Sequence, residues 1–316
     1  MTVTLDDIKQ AHQRIQPYIH CTPILQSTQL NKLFTCELFF KADNMQKVGA
    51  FKARGACNAL FSMTQEVLAN GVITHSSGNH GAALAWAAAM RKASCTVVMP
   101  ENAPQAKKDA VLSYGATVVY CEPTMTAREG TVTRLIEQQG ARLVHPYDDD
   151  LIIAGQGTAT LETLAQLDKP ADVLMTPVGG GGLLGGSAIV VKQSPHAGVT
   201  RVIGAEPEAA NDAWLGFRSG ARLAEFVPNT IADGLRGTVG VRNFEIITQH
   251  VDDILLASEA RIVEAMKLIW TRLKIVVEPS AAVPLAAIMD QPEQFNGKRV
   301  AIILSGGNLD LDALPW

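Results

Sequence analysis

The chain reads Asp172-Val-Leu-Met-Thr-Pro-Val178-Gly-Gly-Gly-Gly182-Leu-Leu-Gly-Gly186, which joins a short apolar run to four consecutive glycines. The apolar run 173–178 predicts a strand, and the segment 183–191 predicts a helix. Glycines between a strand and a helix N-terminus let backbone N–H groups approach an anion, most often a phosphate. A flexible linker is the alternative. Because both flanks of this glycine quartet, Gly179–Gly182, are apolar, an anion site is favoured.

Length and composition predict a globular protein of two domains. The chain has 316 residues, of which 47% are hydrophobic and 18% are charged, and its net charge is −4. A chain of this length exceeds the usual size of a single core. The negative net charge disfavours nucleic acids and anionic membranes as partners. No apolar run has the roughly 18 residues that a membrane-spanning helix needs.

The cysteines and the N-terminal residues favour the cytosol. Five cysteines occur at wide spacings without a Cys-x-x-Cys pair. This pattern is typical of buried thiols in a reducing compartment and not of disulfides or a zinc site. Residues 1–10 carry two aspartates and no apolar core, so no secretory leader is expected. We therefore expect a cytoplasmic protein.

Strand-like and helix-like segments alternate along the chain, which predicts parallel βαβ units. The first series has predicted strands at 72–74, 95–99, 117–120 and 142–144, and predicted helices at 81–92, 105–114 and 128–139. The second series has a helix from Gly157, a strand at 173–178, a helix at 183–193, a strand at 201–205, a helix at 259–273 and a strand at 299–304. We predict a small domain over 71–146, inserted in a large domain formed by 1–70 and 147–316.

Three further loops resemble the glycine quartet in layout, because small or polar residues follow a predicted strand directly. They are Ser76-Ser-Gly-Asn-His-Gly81, Ser305-Gly-Gly-Asn308 and Glu206-Pro207. In open parallel sheets, ligands bind at the carboxyl ends of the strands. Together these loops predict one ligand held between two domains.

A lysine lies in the mostly small and apolar stretch Val48-Gly-Ala-Phe-Lys52-Ala-Arg-Gly-Ala56. Most lysines are solvated. In an apolar pocket, however, the pKa of a lysine falls, and its neutral amine becomes a nucleophile suited to Schiff-base chemistry. The spacing alone leaves both interpretations of Lys52 open.

Four segments resemble, in the same order, those of the serine racemase and serine/threonine dehydratase family. They are Ala50-Phe-Lys-Ala-Arg-Gly55, Ser76–Gly81, Pro177-Val-Gly-Gly-Gly-Gly182 and Ser305–Asn308. The family consists of pyridoxal phosphate enzymes of fold type II, the fold of the tryptophan synthase β-subunit. The resemblance therefore implies an α/β protein with two parallel-sheet domains, the smaller inserted in the larger. Sulfhydrylases of this fold typically carry Thr-Ser-Gly-Asn-Thr-Gly in the second segment, so the dehydratase and racemase branch is favoured.

The resemblance also implies roles for residues around the cofactor. Lys52 would attach pyridoxal phosphate covalently and then act on the Cα proton of the substrate. Asn79 would bind the 3′-oxygen and Ser305 the pyridine nitrogen, and a hydroxyl there suits elimination because it leaves that nitrogen unprotonated. The remaining contacts would come from Phe51, Gly179, Gly180, Gly181, Gly182 and Leu183, with the glycines and Leu183 around the 5′-phosphate.

A second set of residues would contact a small hydroxy amino acid as substrate. The resemblance implies Ser76, Ser77, Asn79, His80 and Arg128 for this set. Ser77 would be the second acid/base, on the ring face opposite Lys52, that racemisation requires. Its alternative role is a helix-cap serine that binds the substrate carboxylate. Since the family is commonly dimeric, we expect a homodimer.

The segment Glu206-Pro-Glu-Ala-Ala210-Asn-Asp212 resembles the divalent-cation site of serine racemases. The resemblance implies that Glu206, Asp212 and the carbonyl of Ala210 bind Mg²⁺, Mn²⁺ or Ca²⁺, with waters completing the oxygen shell. A solvated acidic loop is the alternative.

The chain departs from mammalian serine racemase where that enzyme binds ATP. Lys107, Tyr114 and Asn308 match, whereas Ala82 replaces a glutamine and Tyr147 replaces an asparagine. These departures argue against activation by ATP.

The implied activity is that of a pyridoxal phosphate ammonia-lyase, or dehydratase, which converts L-serine or L-threonine to a 2-oxo acid and ammonia, with serine racemisation as a second activity. Threo-3-hydroxyaspartate ammonia-lyase is the alternative, in which Arg128 or Arg236 would bind the extra carboxylate. A carrier without turnover is disfavoured by the complete set of Lys52, Ser77 and Ser305. A dinucleotide-binding oxidoreductase is disfavoured because the four glycines are contiguous and follow a late strand.

Overall fold

The computed structural model describes residues 3–316 of the chain. Helices α1 to α13 are, in chain order, Leu5–Ile15, Thr28–Phe34, Lys52–Ser62, Gln65–Leu68, Asn79–Met90, Gln105–Ser113, Met125–Gln139, Asp150–Gln166, Gly182–Lys192, Asp212–Ser219, Val241–His250, Glu259–Leu273 and Pro279–Asp290. Strands β1 to β10 are Ile24–Leu25, Glu37–Lys41, Val72–His75, Cys95–Pro100, Thr117–Cys121, Arg142–Leu143, Val173–Pro177, Arg201–Pro207, Asp253–Ala257 and Arg299–Ile303. Within these residues, no helix has the length and apolar character needed to cross a membrane.

Six strands form the larger sheet, in the order β1-β2-β10-β7-β8-β9. All neighbours are parallel except β1, which pairs antiparallel with β2. The N-terminal part of the chain therefore joins the sheet of the C-terminal part, because β2 pairs with β10 in the register Phe40 to Ile302. Strands β10 and β7 are neighbours, so the loops that follow them leave the same edge of the sheet side by side.

The other four strands form a parallel sheet in the order β5-β4-β3-β6. Its strands lie between Val72 and Leu143, and helices α5, α6 and α7 connect or flank them. The predicted fold class, an α/β protein with parallel sheets, is confirmed. The exact boundaries of a small domain over 71–146 stay a prediction.

Helix α8 begins seven residues earlier than predicted, at Asp150 and not at Gly157. Asp149 caps it, because its carboxylate accepts hydrogen bonds from the backbone N–H of Leu151 (2.8 Å) and Ile152 (3.2 Å). The glycines that suggested a helix start are interior positions instead.

Those glycines let three helices approach closely. A Cβ atom at Gly155 would lie 2.5 Å from the Cα of Gly55 in α3. A Cβ at Gly157 would lie 3.0 Å from the carbonyl oxygen of Gly186 in α9. Any larger side chain would push the backbones apart. The helix that carries Lys52 is thus packed directly on α8, and α8 is packed on the helix that follows the glycine quartet.

Candidate active site

A cavity of about 580 Å³ lies between the two sheets. Its wall takes residues from the carboxyl ends of β3, β7 and β10 and from the N-termini of α3, α5 and α9. The structure brings together every residue that was predicted to contact cofactor or substrate: Phe51, Lys52, Ser76, Ser77, Asn79, His80, Arg128, Gly179, Gly180, Gly181, Gly182, Leu183 and Ser305 all line this cavity. The cavity is therefore the candidate active site.

The glycine quartet forms a cup between β7 and α9. Gly181 is the N-cap of α9 and has φ 91°, a conformation that favours glycine. A Cβ atom at Gly180 would lie 2.2 Å from the Cγ of Tyr147, and one at Gly179 would lie 2.9 Å from the Cα of Leu235. Close backbone approach thus explains these glycines. Free N–H groups at the start of an eleven-residue helix suit a phosphate.

Lys52 is the first residue of α3, and its amine reaches the cavity. The Nζ atom donates a hydrogen bond to the carbonyl oxygen of Pro146 at 2.7 Å, and it lies 5.2 Å from the ring centroid of Phe51. Burial lowers the pKa of Lys52 to about 8, although the carboxyl of Glu278 acts in the opposite direction. Part of the amine is therefore neutral and nucleophilic near physiological pH, unlike a solvated lysine.

Asn79 lies at the start of α5 and is hydrogen-bonded to two residues of the C-terminal part of the chain. Its Nδ2 atom donates to both carboxyl oxygens of Glu278, at 2.9 and 3.1 Å, and its Oδ1 atom accepts from Asn308 Nδ2 at 2.9 Å. Glu278 is only 3% exposed, and burial raises the pKa of its carboxyl. Sequence reasoning missed Glu278. The available signal was a single carboxylate at the end of the apolar run 275–277, directly before Pro279 at a helix start.

The loop after β3 contributes hydroxyl and imidazole groups. Ser76 Oγ accepts a hydrogen bond from the backbone N–H of Gly78 at 3.2 Å. One ring nitrogen of His80 lies 3.2 Å from the Val144 carbonyl oxygen, and burial lowers the pKa of His80 well below its ordinary value. Burial also lowers the pKa of His75 to about 4, helped by the neighbouring His145. At neutral pH these imidazoles are uncharged.

Three cationic side chains other than Lys52 line the cavity, and they differ in their partners. Lys107 forms an ion pair with Asp233 across the cleft. Arg236 donates to the carbonyl oxygen of Thr230 at 2.7 and 3.0 Å. The Arg128 side chain makes no hydrogen bond or ion pair with any of the described residues, and its Nε atom is buried. Arg128 is thus a guanidinium without a protein partner in the described part of the chain.

Ser305 follows β10 and is 3% exposed. Its carbonyl oxygen accepts from the backbone N–H of Phe51 at 2.9 Å, which ties the Ser305 loop to the start of α3. The cavity therefore offers an amine with a lowered pKa, a hydroxyl on another strand end and a glycine cup at a helix N-terminus. These groups fit pyridoxal phosphate, which has an aldehyde, a ring nitrogen and a phosphate.

The predicted cation ligands lie outside this cavity, around the end of β8. Glu206 is fully buried and accepts from the backbone N–H of Ala213 (2.9 Å) and Trp214 (2.8 Å). Burial and the nearby Asp212 raise the pKa of Glu206 well above its ordinary value, and burial raises the pKa of Asp212 to about 6. Two buried carboxylates in proximity fit a divalent cation. Among the described residues, no group of three or more His, Cys, Asp or Glu side chains is placed to hold a metal, so the remaining ligands would be carbonyls such as that of Ala210, or waters.

Comparison with known proteins identifies the family. The family model of pyridoxal-phosphate dependent enzymes matches residues 15–306. A β-hydroxyaspartate dehydratase of Paracoccus denitrificans (strain Pd 1222) is 49% identical over 313 residues, which cover 99% of this chain and 98% of that protein.

Two solved structures are similar over their full length. The serine racemase of Dictyostelium discoideum is 49% identical and superposes with a TM-score of 0.92, covering 98% of this chain and 100% of that one. A T.th. threonine deaminase is 43% identical with a TM-score of 0.91, covering 98% of this chain and 99% of that one. The family match and these full-length similarities lead to one conclusion: the chain belongs to the pyridoxal-phosphate dependent enzymes, within the group that includes serine racemases and threonine deaminases.

Proposed function

We propose that this protein is a pyridoxal phosphate-dependent ammonia-lyase that dehydrates L-serine or L-threonine to a 2-oxo acid and ammonia, with serine racemisation as a second activity. The observation that carries the proposal is the placement of Lys52 and the glycine quartet in one cavity. The amine of Lys52 is neutral in part near pH 8, and the cup opposite it is preformed for a phosphate. The full-length similarity to a serine racemase and to a threonine deaminase also supports this activity.

The cofactor supplies an electron sink that makes the Cα proton of a bound amino acid acidic. The residues of this chain would do the rest. Lys52 Nζ would hold the cofactor covalently and, once the substrate amine has replaced it, take the Cα proton. The Ser305 hydroxyl would contact the pyridine nitrogen without protonating it. Gly179–Gly182 and Leu183 would fix the phosphate, and the side-chain amide of Asn79 would contact the 3′-oxygen.

Ser77 would donate or accept the Cα proton on the face of the substrate opposite Lys52. It belongs to the loop after β3, whereas Lys52 is the first residue of α3; both line the same cavity. Inversion at Cα needs a second acid/base group besides Lys52, and the Ser77 hydroxyl would be that group. Ser77→Ala should abolish D-serine formation and leave part of the L-serine elimination. D-serine formation at the wild-type rate would contradict this role.

The test of the function is direct. Purified holoenzyme should release pyruvate and ammonia from L-serine, and borohydride treatment should fix the cofactor on Lys52, which peptide mass spectrometry can identify. Binding of pyridoxal phosphate without turnover of any β-hydroxy amino acid would overturn the enzyme assignment. Label on a different lysine would overturn the role of Lys52.

A second candidate substrate, threo-3-hydroxyaspartate, is favoured by Arg128. A distal carboxylate would give the Arg128 guanidinium the anionic partner that the described residues do not supply. A hydrogen bond to a charged group contributes about 1.5–3 kcal/mol. Arg128→Met should therefore lower kcat/KM for 3-hydroxyaspartate by roughly 10- to 100-fold, and that for serine much less. Arg134→Met, an exposed position on the same helix, is the control. Equal losses of kcat/KM for both substrates would show that Arg128 does not bind the second carboxylate.

We further propose that the enzyme works as a homodimer in the cytosol and that Glu206, Asp212 and Ala210 hold a divalent cation. The five cysteines are all free, and four of them are buried, which supports a reducing compartment. Size-exclusion chromatography with light scattering tests the dimer.

A further inference from the structure

Tyr147 lies in the wall of the cavity, between Lys52 and the glycine quartet. Its neighbour Pro146 offers the carbonyl oxygen that accepts a hydrogen bond from Lys52 Nζ at 2.7 Å. The backbone oxygen of Tyr147 accepts from Asn243 Nδ2 at 3.0 Å, and the same amide donates to the Gly180 carbonyl oxygen at 2.7 Å. One asparagine thus fastens Tyr147 to the glycine quartet.

The ring of Tyr147 has a defined position. Its Cγ end packs on Gly180, where a Cβ atom would be 2.2 Å away. Its other end lies beside Gly237, where a Cβ atom would be 3.5 Å from Cε1 and 3.7 Å from the hydroxyl oxygen. The ring edge also meets His145, with the centroids 4.7 Å apart and the planes at 88°. The ring therefore spans the distance from the quartet to Gly237, and the hydroxyl lies at the Gly237 end.

The hydroxyl of Tyr147 makes no hydrogen bond with the described residues, and it is not one of the fully buried polar atoms that lack a partner. Tyr147 lines the cavity. A phenol both donates and accepts hydrogen bonds, and partly buried phenols normally find a partner. A molecule that enters the cavity can be that partner. Burial, followed by the nearby Asp148, raises the pKa of Tyr147 to about 12, so the phenol keeps its proton at neutral pH.

Dehydration of a β-hydroxy amino acid requires a proton for the departing oxygen. We propose that Tyr147 donates this proton to the β-hydroxyl of the substrate and thereby favours elimination over racemisation; the inference rests on the proposed function. The Cα–H bond breaks, its proton goes to Lys52 Nζ, and its electron pair becomes the π bond of a Cα=Cβ double bond. The Cβ–O bond breaks, its own electron pair stays on the oxygen, and the hydroxyl takes the phenolic proton and leaves as water. The proton on Lys52 then restores the phenol.

Other groups in the cavity are less suited to this task. His75 and His80 are neutral at physiological pH, because burial lowers the pKa of both. Lys107 is paired with Asp233. Ser280 Oγ already accepts a hydrogen bond from the backbone N–H of Gly234 at 3.0 Å, and a serine hydroxyl is a weaker acid than a phenol.

The test compares two leaving groups in the Tyr147→Phe holoenzyme. The substitution removes only the hydroxyl and keeps the ring that packs on Gly180. Turnover of L-serine should fall by roughly 10²-fold or more, as for loss of a general acid. Turnover of β-chloro-L-alanine should change little, because chloride leaves without a proton. The ratio of racemisation to elimination of serine should rise, and the affinity for pyridoxal phosphate should not change.

Tyr120→Phe is the matched control, because this phenol is 48% exposed on the four-stranded sheet. It should leave both turnover rates at the wild-type value. Equal losses with serine and β-chloroalanine in Tyr147→Phe, or no loss with serine, would overturn the proposal. So would a weakened affinity for pyridoxal phosphate that accounts for the whole loss. Failure of the wild-type holoenzyme to turn over either compound would instead overturn the proposed function.

Discussion

Two groups of buried charges in this fold differ in how they are neutralised. In the first, the Arg54 guanidinium donates to Asp43 at 2.6 and 2.9 Å and to Glu162 at 2.8 Å from two of its nitrogens, and Lys41 Nζ donates to Glu162 at 2.7 Å. Two cations face two carboxylates. Burial alone would raise the pKa of Asp43 and of Glu162, but Arg54 and Lys41 hold both below their ordinary values.

In the second group, inside the cavity, Lys52 has a carbonyl as its hydrogen-bond acceptor and forms no ion pair with the described residues. Its pKa falls, whereas that of Arg54 rises because Asp43 and Glu162 outweigh burial. Lys52 and Arg54 are two positions apart on α3. One helix therefore carries a paired cation that fixes its position and an unpaired amine that is available for chemistry.

The largest expected effect comes from removing the unpaired amine. Lys52→Ala should lower turnover of L-serine roughly 10³-fold or more, within the range for loss of a group that transfers a proton. The variant should remain folded, because no buried ion pair is broken. Pyruvate release and a thermal melt are the two measurements. Lys108→Ala is the control, and a Lys52→Ala enzyme with wild-type turnover would refute the role of Lys52.

Breaking the paired group should cost stability. Arg54→Met leaves Asp43 and Glu162 buried with too few cations, so the free energy of unfolding in urea should fall by about 3–5 kcal/mol. Arg299→Met is the control, because Arg299 pairs with the more exposed Glu37 and Asp168. These two exposed pairs should contribute much less. A similar loss of unfolding free energy in both variants would show that the buried cluster contributes no more to stability than the exposed ion pairs.

The pH dependence of the stability of the apoprotein is a further difference between Lys52 and the Arg54 cluster. Because the folded pKa of Lys52 is about 8 and the ordinary value is 10.5, the unfolded chain binds one more proton than the folded chain between these values. Stability from this residue therefore rises as the pH increases from about 8 to 10.5. Relative to Lys52→Met, wild-type apoprotein should gain about 3 kcal/mol over this window. A constant difference between the two proteins would contradict the lowered pKa.

The carboxylates at the end of β8 are a third case, in which like charges face each other and the structure describes no protein cation that pairs with them. Excess Mg²⁺ or Ca²⁺ should raise the free energy of unfolding by about 2–3 kcal/mol at 100-fold over Kd, and chelator should reverse this. Glu206→Gln should abolish the response, whereas Glu208→Gln, at an exposed neighbour, should retain it. An identical response in both variants would place the cation elsewhere.

The sequence predicted the loops of the cavity because each follows a strand directly. Strand ends and glycines are local features, so Gly179–Gly182, Ser76–Gly81 and Ser305 could be identified without coordinates. Glu278 and the position of the Tyr147 ring could not, because their contacts join segments more than 30 residues apart. The predicted start of α8 was wrong for a related reason. Its interior glycines are needed for close contact with other helices, and such contacts are not visible in the local sequence.

The glycine contacts among α3, α8 and α9 have a consequence for local opening. Helices whose backbones touch cannot separate one at a time without exposing the others, so their amides should exchange with solvent only when the whole fold opens. The loop at 76–78 has few such constraints, and its amides should exchange through small local fluctuations. We therefore expect Lys52 and the glycine quartet to be more rigid than the loop that carries Ser77.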